Sequence, residues 1–427
     1  MNLNFKEFQK QNLTLKELDS IRIKNFKIFE TKGLPSKKQE HWKYTDLKTI
    51  INNSFSNLEI LNSTKNNKYN KNLLISKLQH NEIILLNGNF IEKNFSFEDS
   101  KKVNVKSLKT ALKDKNDFEK LKTFFNDDQN SMISLNNALT NDGIILEVED
   151  DYVFNKPLVI YNFFNKSSHN KIINNKVFIT LGKNSKLSLI EFCQAEDNFK
   201  YFNNTIHNYT INKNSILKKF NIDQNLNNSY SYNSTKVKSY SNSVFENFLF
   251  SSGSNFVKNE IHCDLLESFS SCFVNGVMLL DKTQHHELKT NVNHKYENCK
   301  SSQLIKSVLL NESKGTYQGK IYVNKKAQKT NGYQLSKALV LSEHSEFNSK
   351  PELEIYADDV KCSHGSTTGN IEENSIFYLM SRGLSKEQAK KMLVEGFLKE
   401  AIETITEENI KLLILESFIN RINKIKI

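Results

Sequence analysis

Proline, arginine and tryptophan are nearly missing from this chain. Its 427 residues include only Pro35, Pro157 and Pro351, only Arg22, Arg382 and Arg421, and a single tryptophan, Trp42. The lack of arginine bears on the net charge of +11, which on its own would invite a nucleic-acid partner. Of the 59 basic residues 56 are lysine, and they are scattered, whereas base and phosphate recognition leans on the bidentate guanidinium. A solvated lysine-rich surface is expected, and no nucleic-acid partner. Cysteine is sparse too: Cys193, Cys263, Cys272, Cys299 and Cys362 are an odd number with no CxxC pair. That pattern argues against a disulfide framework and for reduced thiols in the cytoplasm. No run approaches the ~18 apolar residues of a membrane span, and MNLNFKEFQKQNL lacks the basic and apolar regions of a signal peptide. There is no GxxxxGK[ST] motif, since Gly319 and Lys320 are followed by Ile321, so ATP hydrolysis is not expected of this chain.

What the chain does have is a long block of strand-like runs. From about Ile144 to Tyr356, segments such as VFITLG (177–182), KLSLIEFCQ (186–194), SVFENFLF (243–250) and SCFVNGVMLL (271–280) alternate with Asn, Ser, Gly and Lys. Turn-like fragments GKNSKL, NKNSIL and SGSNFV begin at 182, 212 and 252. An echo of this kind predicts a stacked β-solenoid, whose polar turns tolerate asparagine and whose coils need few prolines. Pro157 and Pro351 stand at either end of the block.

Helix signals flank it. Thr14 and Glu17 form a capping box for a helix carrying Leu18, Ile21, Phe26 and Phe29 and stopped by Gly33. The segment HWKYTDL (41–47) follows, then an Asn-rich loop or weakly ordered stretch (52–72), the apolar run EIILLNG, and a helix around 108–125. Beyond Gly369, Asn370 and Glu373 predict an N-cap and N3 pair, with Gly383 as the stop. Ser385 and Gln388 form a second capping box ahead of the stripe Ala389, Met392, Leu393, Gly396, Phe397, and a third helix follows Thr406. The expected organisation is an N-terminal helical or mixed region (1–145), a β-helix core (146–360) and a C-terminal helical domain (361–427).

The chemistry-bearing pair is Cys362 and His364. In residues 352–358 the odd positions Leu353, Ile355 and Ala357 are apolar, which places Asp358, Cys362 and His364 on the outward face if the register continues. A thiolate and an imidazole on one face can bind iron, zinc or a sulfur species. A stable centre takes about four ligands, and no other cysteine has a chelating spacing to this pair. Spacing leaves two further readings open: a Cys/His nucleophile pair without an orienting third group, and a half-buried cysteine beside a surface histidine. GSTTG (365–369) could offer backbone amides to an anion ahead of the next helix. His285 and His286 are neighbours on opposite faces of a strand, as are His262 and Cys263, so neither pair chelates locally.

YQGKIYVN (317–324), AQKTNGYQ (327–334), KPELEIYADDVKCSHGSTTG (350–369) and FYLMSRGL (377–384) resemble the SufB/SufD family of iron-sulfur cluster assembly proteins. HHELKT, SSQLIKS and HWKYTDL agree, and the KCSHG form is similar to the SufD branch. The resemblance implies a right-handed parallel β-helix core and a non-catalytic assembly subunit in a heteromeric complex. It implies SufB as a partner held through the β-helix and a SufC ATPase docked on the C-terminal helices, with a homodimer where SufB is missing. No permanently bound cofactor is implied. A transient iron-sulfur cluster or iron would form at the partner interface, His364 taking part as an iron site and Cys362 as its neighbour. The alternatives are a SufB-like cluster scaffold, a scaffold without a metal role, and, from a different class, a β-solenoid polysaccharide lyase or hydrolase. The last needs clustered carboxylates and a basic residue, yet arginine is absent from 23 to 381.

Overall fold

A computed structural model of the chain describes residues 3–12, 15–61, 69–70, 74–125, 130–196, 199–224 and 226–427. The Ile-, Val- and Tyr-rich runs are strands that stack in parallel into a two-sheet β-solenoid. One sheet carries β5 (Asp142–Val148), β7 (Lys171–Leu181), β9 (Tyr201–Ile211), β11 (Ser229–Ser239), β13 (Phe256–Leu265), β15 (His285–His294), β17 (Lys314–Val323) and β19 (Glu346–Ile355). The other carries β6 (Leu158–Phe164), β8 (Lys186–Ala195), β10 (Ile216–Gln224), β12 (Val244–Ser251), β14 (Ser271–Leu280), β16 (Lys300–Leu309), β18 (Thr330–Val340) and β20 (Val360–Gly369). The N-terminal region supplies the opening strands: β2 (Asn81–Leu86) pairs in parallel with β6, and β4 (Val103–Ser107) pairs antiparallel with β5.

Asparagine has a defined job in the turns. Asn184, Asn214, Asn242 and Asn298 all have φ between 55° and 60°, a conformation that asparagine tolerates better than most residues. Each donates its N–H to a carbonyl of the next coil: Asn184 to Lys213, Asn214 to Ser241, Asn242 to Ser268 and Asn298 to Gln328, at 2.9–3.2 Å. Asn214 Nδ2 also donates to Asn184 Oδ1 at 2.8 Å, thirty residues away. The coil is therefore about thirty residues long, and the echo between 182 and 212 is one full turn. The third fragment, at 252, lies in the opposite set of turns, between β12 and β13, where Gly253 takes φ 92°.

Both outer faces of the solenoid are covered. On one, Phe8, Phe26, Trp42, Leu47, Met132 and Leu135 pack against Phe202, Ile206, Tyr230, Tyr232 and Phe256. On the other, α8 (Lys386–Ile402) and α9 (Glu408–Ile422) lay Val394, Leu398, Ile402, Ile410, Ile414 and Phe418 over Phe192, Phe220, Phe248, Phe250 and Val277. Among the described residues no helix is long and apolar enough to cross a membrane.

The HWKYTDL segment is the clamp on the first face. Trp42 stacks on Tyr232 with ring centroids 5.6 Å apart, and Lys258 Nζ lies 4.4 Å from its ring. Lys258 is fully buried, pairs with Glu287, and donates to the His41 carbonyl at 3.1 Å. Glu287 also accepts from Gln318 Nε2 at 2.6 Å and from Thr45 Oγ1. Each pair member has hydrogen-bond partners beyond the pair itself, which helps make a buried ion pair tenable.

Several local expectations are corrected. Helix α2 (Lys16–Lys32) buries Leu18, Phe26 and Phe29 and stops at Gly33, but Thr14 of the expected capping box lies outside the described residues. The Asn-rich stretch is ordered at its start: α3 (Leu47–Ser54) and β1 (Glu59–Ile60) bury Ile51, Phe55, Leu58 and Ile60, while 62–68 and 71–73 lie outside the described residues. The helix expected over 108–125 is broken into Leu108–Ala111 and Lys115–Leu121, because the Asp114 side chain caps a new start by accepting from the Asp117 N–H. Asn370 is not an N-cap: α7 (Glu373–Ser381) begins after Glu372, and the Asn370 side chain accepts from the Ile371 N–H instead. The Ser385–Gln388 capping box is present, but the buried stripe of α8 is Ala389, Val394, Leu398, Ala401 and Ile402, with Met392 turned to solvent. Pro351 sits within β19, where an unpaired edge tolerates a residue without an N–H.

Candidate functional site at the open end of the solenoid

The strand that carries Cys362 and His364 is β20, so the motif belongs to the solenoid and not to the helical tail. β19 and β20 are the last strands of their sheets, each paired on one side only, to β17 and β18. Their outer edges present unpaired backbone groups. GSTTG is part of this strand, with Gly365 opposite Leu335 and Gly369 opposite Leu339, so it does not form a loop around an anion.

Register places the pair on the inner face, contrary to the outward face expected. Val360, Cys362 and His364 lie opposite Thr330, Gly332 and Gln334, all three of which are buried. The turn after Tyr356 resets the alternation. Cys362 is half-buried against Leu353, Val360, Ile321, Val323 and Ala357, whereas His364 is exposed. Two residues along a strand place their Cα atoms roughly 7 Å apart on one face. Burial pushes the Cys362 thiol up from its ordinary value, partly offset by a hydrogen bond from the Gly332 backbone. A raised thiol with no hydrogen-bonded base is a poor nucleophile.

A polar layer that the sequence reading missed lies directly behind the pair. Gln334, in register with His364, donates Nε2 to the Glu352 carbonyl at 3.0 Å. Gln303, next in that column, accepts from Tyr317 Oη at 2.9 Å and from Thr290 Oγ1. Behind Cys362 the column runs Gly332, Ser301, Cys272, and Ser301 Oγ lies 2.8 Å from His294 Nε2. Burial lowers His294 to about 4, so it is neutral at pH 7. Gly319 makes room for this layer, because a Cβ there would lie 2.1 Å from Gln334 Oε1. The recurring glutamines of SSQLIKS and GYQLSK were the legible signal.

The other singled-out residues are structural. His286 is buried between Ser251 Oγ and the Ser254 carbonyl at 2.8 Å each, while His285 faces Phe256 and Thr45 on the opposite side. His262 contacts Asp264 at 3.2 Å. Cys263, Cys272 and Cys299 belong to the apolar core between the sheets. Among the described residues, no three His, Cys, Asp or Glu side chains are placed to hold a metal ion. Cys362 and His364 thus offer two soft-to-borderline donors at an open edge, backed by hydrogen-bonding side chains.

A second exposed feature is α7, the helix of FYLMSRGL. Only Ile376 is buried in it. Phe377 is 73% exposed, Tyr378 56% and Met380 42%, and Arg382 stacks on Tyr378 with its guanidinium 5.2 Å from the ring centroid.

Comparison with known proteins bears on both features. Residues 163–397 match the family described as SUF system FeS cluster assembly, SufBD core domain, and residues 5–160 match the SufBD protein N-terminal region. The iron-sulfur cluster assembly protein SufD of Escherichia coli is 23% identical over 392 residues, 89% of this chain and 87% of that protein. An iron-sulfur cluster assembly SufBD family protein of Staphylococcus saprophyticus is 24% identical over 283 residues, 65% of this chain and 59% of its own length. One of Synechocystis is 45% identical over 64 residues, 15% of this chain and 14% of its own.

Proposed function

The chain belongs to the SufBD family of SUF-system iron-sulfur cluster assembly proteins, and from that premise we propose that it is a SufD-type subunit that lends half of a cluster-building site to a partner. The observation that carries this reading is the position of Cys362 and His364 on the inner face of a strand whose edge is free. A second family member, SufB, pairs its own terminal strands with the edges of β19 and β20, as exposed edges favour. Its thiol or carboxylate then completes the ligand set that Cys362 and His364 leave short. Iron and sulfide are cargo here, held in passing while the nascent cluster forms.

Energy enters from elsewhere, since this chain has no phosphate-binding loop. A SufC ATPase docks on the exposed aromatic face of α7, where Phe377, Tyr378 and Met380 offer apolar area and Arg382 a charge. Nucleotide-driven movement of that partner strains the last coils through α7 and α8, opening the interface at β20 for iron to enter. The chain acts as an assembly subunit; the match is to an assembly family, not to a polysaccharide-cleaving one. Co-purification of this chain with SufB and SufC partners, followed by anaerobic absorption spectroscopy on added iron and sulfide, tests the reading. A stable three-component complex that develops charge-transfer bands supports it, and failure to form the complex overturns it.

A further inference from the structure

A polar layer interrupts the otherwise apolar interior of the solenoid. In one sheet the inward column Leu158, Leu189 turns to Lys219 and Asn247 before returning to Val274, and beside it Ile160 gives way to Glu191 and Asn221 before Leu249. In the facing sheet Val177 gives way to His207 and Thr235 before Ile261. These side chains enclose a cavity of about 40 Å³. At roughly 10–15 Å³ per water, that is room for about three water molecules.

The lining is built as a hydrogen-bonding shell with vacancies. Glu191 accepts from Lys219 Nζ at 2.9 Å and from Asn221 Nδ2 at 2.9 Å, and lies 2.7 Å from His207 Nε2. Asn203 Oδ1, Asn221 Oδ1 and Asn247 Nδ2 have no partner within the protein. Asn203 and Asn247 are both more than nine-tenths buried. Buried donors and acceptors left without partners are costly, so each points to a guest that satisfies it. Donors and acceptors both stand vacant, which fits a guest that can give and take hydrogen bonds and carries no charge.

A larger cleft adjoins the cavity. Asp223 and Phe250 line both the cavity and a cleft of about 420 Å³ between α9 and the solenoid turns, walled by Ser252, Asn420, Arg421 and Lys424. Cys193 stands in register with Asp223 and hydrogen-bonds to it. Both keep intermediate exposure, whereas Cys263 and Cys272 have none.

We propose that this chamber is a solvent-linked binding site for small uncharged hydrogen-bonding molecules, occupied by water at rest and reached from the α9 cleft past Asp223 and Phe250, with Cys193 as the thiol such guests meet. The proposal is independent of the assembly role. Methyl methanethiosulfonate, a small neutral thiol reagent, tests it on the folded full-length chain. The Cys193 sulfur forms a disulfide bond to the reagent's CH3S group, and methanesulfinic acid leaves with the thiol proton. Peptide mass spectrometry should show Cys193 labelled roughly tenfold faster than Cys263 and Cys272, which react only through opening of the fold. Asn420→Trp, on the solvent side of the cleft, should slow Cys193 and leave the Cys362 rate unchanged; Lys424→Trp serves the same purpose should the first variant lower the melting temperature. Equal labelling of Cys193, Cys263 and Cys272, or a Cys193 rate indifferent to both tryptophans, overturns the proposal.

Discussion

Replacing Glu287 by glutamine tests the clamp that seats the N-terminal segment on the solenoid. The substitution keeps the shape and removes the charge that faces Lys258, a side chain with no solvent exposure. The remaining partners are the His41 carbonyl at 3.1 Å, the Trp42 ring at 4.4 Å, and Glu260 at 3.7 Å. Breaking a buried pair from one side costs about 3–5 kcal/mol, and the residual Glu260 charge places this case near the lower end, about 3 kcal/mol. Lys258→Met in the same background removes the stranded charge, so the double variant should lie closer to wild type than Glu287→Gln alone. Trp42 is the only tryptophan and touches Lys258 directly, so its fluorescence during urea unfolding reports on the clamp itself. A loss under about 1 kcal/mol for Glu287→Gln, or a double variant as unstable as the sum of its singles, would refute the reasoning.

Three further outcomes are expected. His294 is held at about 4 by burial, against an ordinary 6.5. The unfolded chain therefore takes up the proton first, and stability from this residue is full above pH 6.5 and lost as pH falls toward 4. His294→Asn should narrow the wild-type difference in unfolding free energy between pH 7.5 and 4.5 by about 2–3 kcal/mol, measured by urea titration at each pH. Asn214, at φ 60°, should tolerate glycine with little change while alanine costs about 1 kcal/mol, read from unfolding midpoints. Phe377→Asp should weaken capture of the ATPase partner on a column at least tenfold, by about 1.4 kcal/mol or more, and leave the melting temperature unchanged, because Phe377 is 73% exposed.

The solenoid was legible because asparagine fills most of the left-handed positions in its turns, and the strands between them are β-branched and aromatic. The sequence placed Cys362 and His364 on one face, which β20 bears out, but on the wrong side. Alternation through Leu353 and Ile355 cannot be carried across the turn between β19 and β20, where each strand starts its own register. The layer behind them was partly hidden for a related reason. The repeated glutamines mark the column of Gln303 and Gln334, but the facing residues that complete the layer, such as His294 against Ser301, are brought in by coil stacking and leave no local motif. Likewise Lys258 and Glu287 read as surface charge until the thirty-residue coil and the N-terminal segment bury them. The interrupted 108–125 helix failed on a local competition, in which the Asp114 carboxylate satisfies a new N-terminus better than continued helix would.

The half-site is the central claim, and one substitution addresses it most directly. In a complex of this chain with SufB and SufC partners, supplied anaerobically with iron, sulfide and ATP, His364→Ala should abolish most cluster absorbance while the complex still assembles, since His364 is exposed and supports no core. Cluster yield equal to that of wild type in the intact His364→Ala complex would contradict the account.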